Sequence, residues 1–289
     1  MDLLNNVVQG LLLGGLYALF ATGLSIIFGV MRLVNLAHGD LSVIAAYVAL
    51  VAVDVLGLNP FLSLVLVVPV MFILGYGLQR FVLNHTLEGG PMPPLLVTFG
   101  LSIIIQNLLL EIFSADSRGL DAGRIEDAAI TVTSRLAVGW FPMLTLVVAV
   151  TVLAGLQLFL ERTQLGRGFR ATSDDQRAAQ LMGIDNRHLY SLALAIALAT
   201  VAVAGVFLGI RTTFSPSVGP TRLIFAYEAV IIGGLGSLWG TLAGGMVLGV
   251  AQTIGAQLSP GWAVLAGHLV FLAVLVFRPN GLFVRQAAV

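Results

Sequence analysis

The chain has 289 residues, of which 58% are hydrophobic and 10% charged, with a mean hydropathy of +1.01 and a formal net charge of zero. A soluble domain carries roughly 25% charged residues, so this composition cannot clothe a globular surface with polar groups and instead suits a polytopic helical protein facing lipid. All 14 basic residues are arginine and cysteine is absent. The missing lysine excludes a phosphate-binding loop of the G-x-x-x-x-G-K-[ST] kind, and the missing cysteine excludes disulfides, thiolate metal sites and cysteine nucleophiles.

The N-terminal MDLLNNVVQG has no basic region and its apolar run outlasts a signal peptide, so a retained first span is expected. A spanning helix needs about 20 mostly apolar residues. Candidate spans cover 3–30, with a bend expected at Gly14–Gly15, then 36–56, 60–83, 94–113, 141–160, 190–210, the Gly-rich 223–256 and 262–277. The Gly-rich stretch is too long for one helix, and a break is expected between Gly233 and Trp239. The fold class is therefore all-α: a polytopic transmembrane helical bundle of about 8–10 spans, read as one transmembrane domain over 1–289. With nine spans and 161–189 inside, Arg32, Arg80, Arg162, Arg167, Arg170, Arg177, Arg187, Arg278 and Arg285 are cytoplasmic. Arg118, Arg124, Arg135, Arg211 and Arg222 are then external, an orientation that follows the positive-inside rule. The external loop 114–140 mixes both signs of charge, as a solvated connection does. It is also suited to docking a soluble partner or covering a pathway.

One segment, RGFRATSDDQRAAQLMGIDNRHL (167–189), is polar between two apolar runs. Ser173 reads as an N-cap, with Asp174 and Asp175 in the first turn and Gln176 at the third position, a capping-box pattern whose acids suit the positive end of the helix dipole. Gly183 suits the left-handed turn that ends a helix, and Asp185 offers a fresh cap before the next span. A short helix over 173–182 is expected, lying across the membrane surface. So short a helix is marginal alone. Ala178, Ala179, Leu181 and Met182 give it small or adaptable contacts, either to the protein's own helix ends or to a partner, with Arg177 among the surrounding arginines.

RAAQLMGIDNRHLYSLALAIALATVAVAGV resembles the EAA-like loop of ABC-importer permeases, although Arg177 stands where that motif has Glu and no Leu-Pro closes it. GLYALFATGLSIIFGVMRLVNLAHGDL, YEAVIIGGLGSLWGTLAGGMVLG and RPNGLF are similar, in order and spacing, to the branched-chain amino acid permeases of the LivH type. The resemblance implies an inner-membrane permease subunit of an ATP-driven importer. A periplasmic binding protein would deliver a small amino acid, leucine, isoleucine or valine. A homologous second permease would complete the path. Two ABC ATPases, using ATP and magnesium, would grip the helix at 173–182, and this chain would bind no cofactor itself. Relatives of the same class move urea, short amides and other small organic solutes. The rival class is an autonomous secondary transporter or channel.

Candidate pathway residues follow. Gly236, Gly240 and Gly244 recur every four residues, as do Gly245 and Gly249; such spacing lets helices approach closely. A broken helix at Gly233, Gly234 and Gly236 would alternatively point backbone groups at a solute. A charge at mid-bilayer is costly, so Glu228 reads as an ion pair with Arg222 or Arg211 or a helix cap, as a residue near an external gate, or as a proton-coupling site. Thr98, Ser102 and Gln106 share one helix face, with Asn107 and Glu111 beside it. That stripe is interhelical glue or a pathway lining able to meet a zwitterion. Asn35, His38 and Asp40 read as a cap for the second helix or part of an inner gate, and two ligands on one turn are too few for a metal. No nucleophile–base arrangement points to an enzyme, so catalytic residues are not expected. His268 reads as a hydrogen-bonding helix contact.

Overall fold

The computed structural model describes residues 3–90, 92–133 and 136–283; Arg135 and Arg285, counted above, lie outside them. In chain order the elements are α1 (Leu3–Met31), α2 (His38–Leu56), α3 (Pro60–Phe81), two 3₁₀ turns (Leu83–His85 and Leu87–Gly89) and α4 (Met92–Phe113). Then come α5 (Arg124–Asp127), the strands β1 (Ala129–Thr133) and β2 (Leu136–Gly139), α6 (Trp140–Arg162), α7 (Gln164–Asp174), α8 (Gln176–Leu181), α9 (Asn186–Arg211), α10 (Gly219–Gly233), α11 (Leu238–Leu258) and α12 (Trp262–Phe277). Among the described residues seven helices are long and apolar enough to cross a membrane, and α12 is a shorter apolar helix. With 15 residues, α10 covers only about 22 Å of a hydrocarbon core about 30 Å thick. The expected eight to ten spans thus resolve into seven full helices, a shorter one and a part-length one.

The chain divides into two compact units. One comprises 23–121 and 154–223; the other comprises 1–22, 122–153 and 224–289.

In the first, α9 is the axis, with 83% of its apolar window buried. It reaches that burial by being lined with small residues, which let neighbouring backbones approach. An added Cβ at Gly75 of α3 would lie 2.8 Å from Leu194 O, and one at Gly205 of α9 would lie 2.6 Å from Ser42 O of α2. Helix ends follow their capping signals. Asn59 Oδ1 accepts from Phe61 N at 2.9 Å ahead of Pro60, the position where proline's missing N–H costs nothing. Gly57 closes α2 with φ +64°. Tyr47 of α2 is stacked on Phe113 at 4.3 Å between centroids and meets the edge of Phe214 at 5.0 Å. The chain after α4 is fastened there, with Arg118 N donating to Phe214 O at 2.8 Å and Leu120 N to Gly209 O at 2.9 Å.

In the second unit, α11 packs against α1 through glycine on both sides. A Cβ at Gly10 would sit 2.5 Å from Val250 Cα, and one at Gly14 would overlap Met246 Cα; Gly249 in turn abuts Gly10 O. α1 runs as one helix through Gly14–Gly15, and those glycines serve close packing against α11 and Leu146. The break between Gly233 and Trp239 is present. Gly234 (φ +107°) and Gly236 (φ +79°) occupy the left-handed region that only glycine enters freely, and Ser237 caps α11 by accepting from Gly240 N at 3.1 Å. Gly233 and Gly240 touch backbone to backbone, as do Gly244 and Ala229. The RPNGLF ending wedges against this turn, with Leu282 N donating to Ile232 O at 2.8 Å and Phe283 N to Gly233 O at 3.0 Å. The loop before α6 folds into α5 and an antiparallel hairpin pairing Ala129 with Gly139, and Gln9 Nε2 donates to Ala137 O at 2.7 Å.

Candidate functional site

The polar segment between α6 and α9 is two helices, not one. Thr163 caps α7 by accepting from Gly166 N at 3.1 Å. α7 buries Phe169 and leaves Arg167 exposed, while Arg170 Nη1 donates to Leu160 O at 2.5 Å; this is an amphipathic helix. The backbone then becomes extended at Asp175 (φ −144°), which caps α8 by accepting from Arg177 N at 2.8 Å and Ala178 N at 3.0 Å. Ser173 is therefore not the cap expected from sequence, and Gln176 is the first residue of α8, not its third. The reason is tertiary. Ser173 Oγ donates to Gly29 O at 2.7 Å, and Arg32 Nη2 donates to Ser173 O at 3.2 Å, so Ser173 and Asp174 finish α7. The other signals stand: Gly183 has φ +85° with Ile184 N donating to Ala179 O at 3.1 Å, and Asp185 Oδ1 accepts from His188 N at 3.2 Å to cap α9.

The apolar contacts of α8 split in two. Ala179 is 4% exposed and packs inward, whereas Leu181 is 89% and Met182 83% exposed; Ala178 and Arg177 also face out. The segment is tied to two spans. Asn186 of α9 donates through Nδ2 to Gln176 O at 2.8 Å and accepts from Thr172 Oγ1 at 3.2 Å, and the Ser173 and Arg32 bonds join α7 to the end of α1.

At the start of α2 the expected polar residues come together. Asn35 Oδ1 accepts from Ala37 N at 3.0 Å, turning the chain into the helix. The α4 stripe packs on this point. Thr98 Oγ1 accepts from Leu36 N at 3.2 Å, Ser102 Oγ donates to Asp40 Oδ2 at 2.5 Å, and Gln106 Nε2 donates to Ser102 Oγ at 3.0 Å. Thr98, His38 and Asp40 are fully buried. Asn107 stands apart on the exposed face and donates to Ile103 O at 2.8 Å. The first residue of α10 completes the junction: Gly39 abuts Gly219 O, and an added Cβ at Gly219 would lie 2.8 Å from Asp40 N. Two helix N-termini thus meet with the Asp40 side chain between them. Nothing in the local sequence pairs position 39 with 219.

Glu228 takes its partner from α12. Its Oε1 accepts a hydrogen bond from His268 Nδ1, and Phe225 stacks on the imidazole at 6.2 Å between centroids. Arg222, one of the two partners expected for it, instead donates to Thr212 Oγ1 at 3.2 Å. The correction follows from geometry: Glu228 lies in the middle of α10, on a buried face that α12 covers, and α12 is 40 residues away in sequence. His268 is the helix contact expected, with an unexpected partner. Nearby Tyr17 Oη donates to Gln252 Oε1 at 2.5 Å, a pair the sequence did not single out. Gly233, Gly234 and Gly236 serve the α10–α11 turn and its close packing.

The architecture defines a multi-pass helical membrane protein with a short capped helix presented outside its spans. The family profile described as branched-chain amino acid transport system / permease component matches residues 6–278. The chain is 31% identical over 297 residues to the high-affinity branched-chain amino acid transport system permease protein BraD of Pseudomonas aeruginosa, covering 98% of this chain and 96% of BraD. It is 27% identical over 300 residues to LivH of Escherichia coli, covering 98% and 96%. It is 25% identical over 298 residues to LivM of the same organism, covering 92% and 67%. The chain belongs to the branched-chain amino acid transport permease family and is a multi-pass protein of the inner membrane.

Proposed function

We propose that this chain is the permease subunit of an ATP-driven ABC importer that moves leucine, isoleucine or valine inward from a periplasmic binding protein. It pairs with a homologous, non-identical permease, a reading supported by its likeness to both LivH and LivM. The observation that carries the coupling is α8: Leu181 at its end and the following Met182 are almost wholly exposed outside the spans, an apolar pair that a partner surface would cover. Two ABC ATPases supply that surface, consume ATP and magnesium, and leave this chain a transport subunit without a cofactor or a catalytic residue of its own.

The bonds around α8 indicate how movement passes inward. Asn186 joins α8 to the first turn of α9, and Ser173 with Arg32 joins α7 to the end of α1. α9 packs on α2 through Gly205, and α2 begins where Asp40 meets α10. A displacement of α8 therefore reaches the Asp40–Gly219 junction through close-packed helices, which transmit strain because they have few voids to absorb it.

The test is recovery of ATPase subunits with the tagged chain from mild detergent, together with uptake of labelled leucine by cells carrying wild type or Leu181→Asp. Loss of both in the variant, with unchanged membrane levels, is expected. Undiminished ATPase recovery would remove α8 from the coupling. Uptake of urea or a short amide in place of leucine would keep the importer and change its solute.

A further inference from the structure

At the end of the molecule that carries α7 and α8 there is a cavity of about 340 Å³ lined by Arg80, Phe81, Asn84, His85, Asp185 and Arg187. We propose that it binds the headgroup phosphate of an anionic phospholipid whose acyl chains lie along α3. The proposal goes beyond transport and does not depend on the solute or on the ATPase.

Three observations carry it. The first is the donor set. Two guanidiniums and an imidazole surround one space, and guanidinium forks match phosphate oxygens two at a time. The acid in the lining, Asp185, is turned to the first turn of α9, where it accepts from His188 N at 3.2 Å. Among the described residues no carboxylate pairs with Arg80.

The second is that the cavity is built, not a chance meeting of surface chains. Gln79 Nε2 donates to Asn84 Oδ1 at 3.0 Å, and Asn84 Nδ2 donates to Arg187 O at 3.0 Å and to Ser191 Oγ at 3.4 Å. Gln79, Asn84 and Ser191 are buried. This net holds the backbone of Arg187 against the end of α3, so the two arginines are presented from two clamped elements.

The third is what lies beside it. Leu66, Val70, Ile73, Gly77 and Phe81 follow one another on α3 at steps of three and four residues, which puts them on one helix face, and the four with large side chains are exposed. At Gly77 an added Cβ would meet only the Phe81 ring at 3.9 Å, so that face is bare. A cationic cavity continuous with a bare apolar ridge, at the end of a membrane span, has the layout of a phospholipid: phosphate at the boundary and chains in the hydrocarbon. Basic pockets between spans are known to take anionic headgroups. Free phosphate would use only the first half of this surface. An acidic protein partner would have no use for the ridge.

The experiment is native mass spectrometry of the delipidated full chain, with any subunits that co-purify, titrated with phosphatidylglycerol or phosphatidylcholine of identical acyl chains. Wild type is expected to hold phosphatidylglycerol about tenfold more tightly, and R80Q/R187Q to lose that preference. R167Q/R177Q, which removes two exposed arginines of α7 and α8, is expected to keep it. If the double variant does not purify folded, R80Q alone is expected to show about a threefold loss. Equal retention of the two lipids by wild type, or an undiminished preference in R80Q/R187Q, would overturn the proposal. So would displacement of the lipid by low-millimolar inorganic phosphate, which would assign the cavity to the free anion. Loss of ATPase recovery in R80Q/R187Q with lipid preference unchanged would assign it to the ATPase instead.

Discussion

Replacing His268 with alanine tests the pair it forms with the buried carboxyl group of Glu228. Glu228 is 3% exposed, and its Oε2 has no hydrogen-bond partner among the described residues. In His268→Ala, Oε1 loses its partner too, and a carboxyl group sits in a low-dielectric helix interface with nothing to satisfy it. Breaking a fully buried pair this way costs about 3–5 kcal/mol. Here the His268 side chain is 37% exposed, so some of its surroundings are already open and about 2–3 kcal/mol is expected. Adding Glu228→Gln removes the acid and is expected to restore at least half of that loss, a coupling of about 1–2 kcal/mol. The assay is denaturant unfolding in detergent micelles followed by tryptophan fluorescence. The chain has 3 tryptophans, and Trp140, Trp239 and Trp262 all belong to the unit that contains Glu228 and His268. Additive losses in the double variant, or a His268→Ala protein as stable as wild type, would refute the pairing as a source of stability.

Gly249→Leu places atoms on Gly10 O and is expected to lose about 3 kcal/mol or more, whereas Gly155→Ala, with nothing within 4 Å of its added Cβ, is expected to lose nothing and to gain up to about 1 kcal/mol; the same denaturant assay compares them. Ser102→Ala removes the donor to the buried Asp40 Oδ2 and is expected to cost about 1–3 kcal/mol, which Asn107→Ala, on the exposed face of the same helix, does not reproduce. Gly57→Ala forces a side chain into φ +64° and is expected to cost about 1 kcal/mol, read as a shift of the unfolding midpoint. Ala179→Arg drives a long charge into the buried side of α8 and is expected to expose the 161–189 loop to limited proteolysis, whereas Leu181→Asp leaves the protease pattern as in wild type.

What was legible in the sequence is what local chemistry controls. Length and apolarity alone marked the spans, because a membrane helix must be long and greasy along its whole length whatever it touches. Gly183 as a left-handed terminus, Asp185 as the cap of α9 and the break after Gly233 were visible for a similar reason: a cap or a positive φ is decided within a few residues. The stripe of Thr98, Ser102 and Gln106 was visible as a face, but not what it faced. Tertiary structure alone decided that Ser102 meets Asp40 across 62 residues, that Ser173 reaches Gly29 across 144 and so moves the helix start to Asp175, and that Glu228 meets His268 and not an arginine. A helix that is apolar on every side carries no moment to say which face is buried. In this chain the partners of the few polar groups were therefore set by which glycines let which backbones touch, and that is a property of the packed helices, not of any one of them.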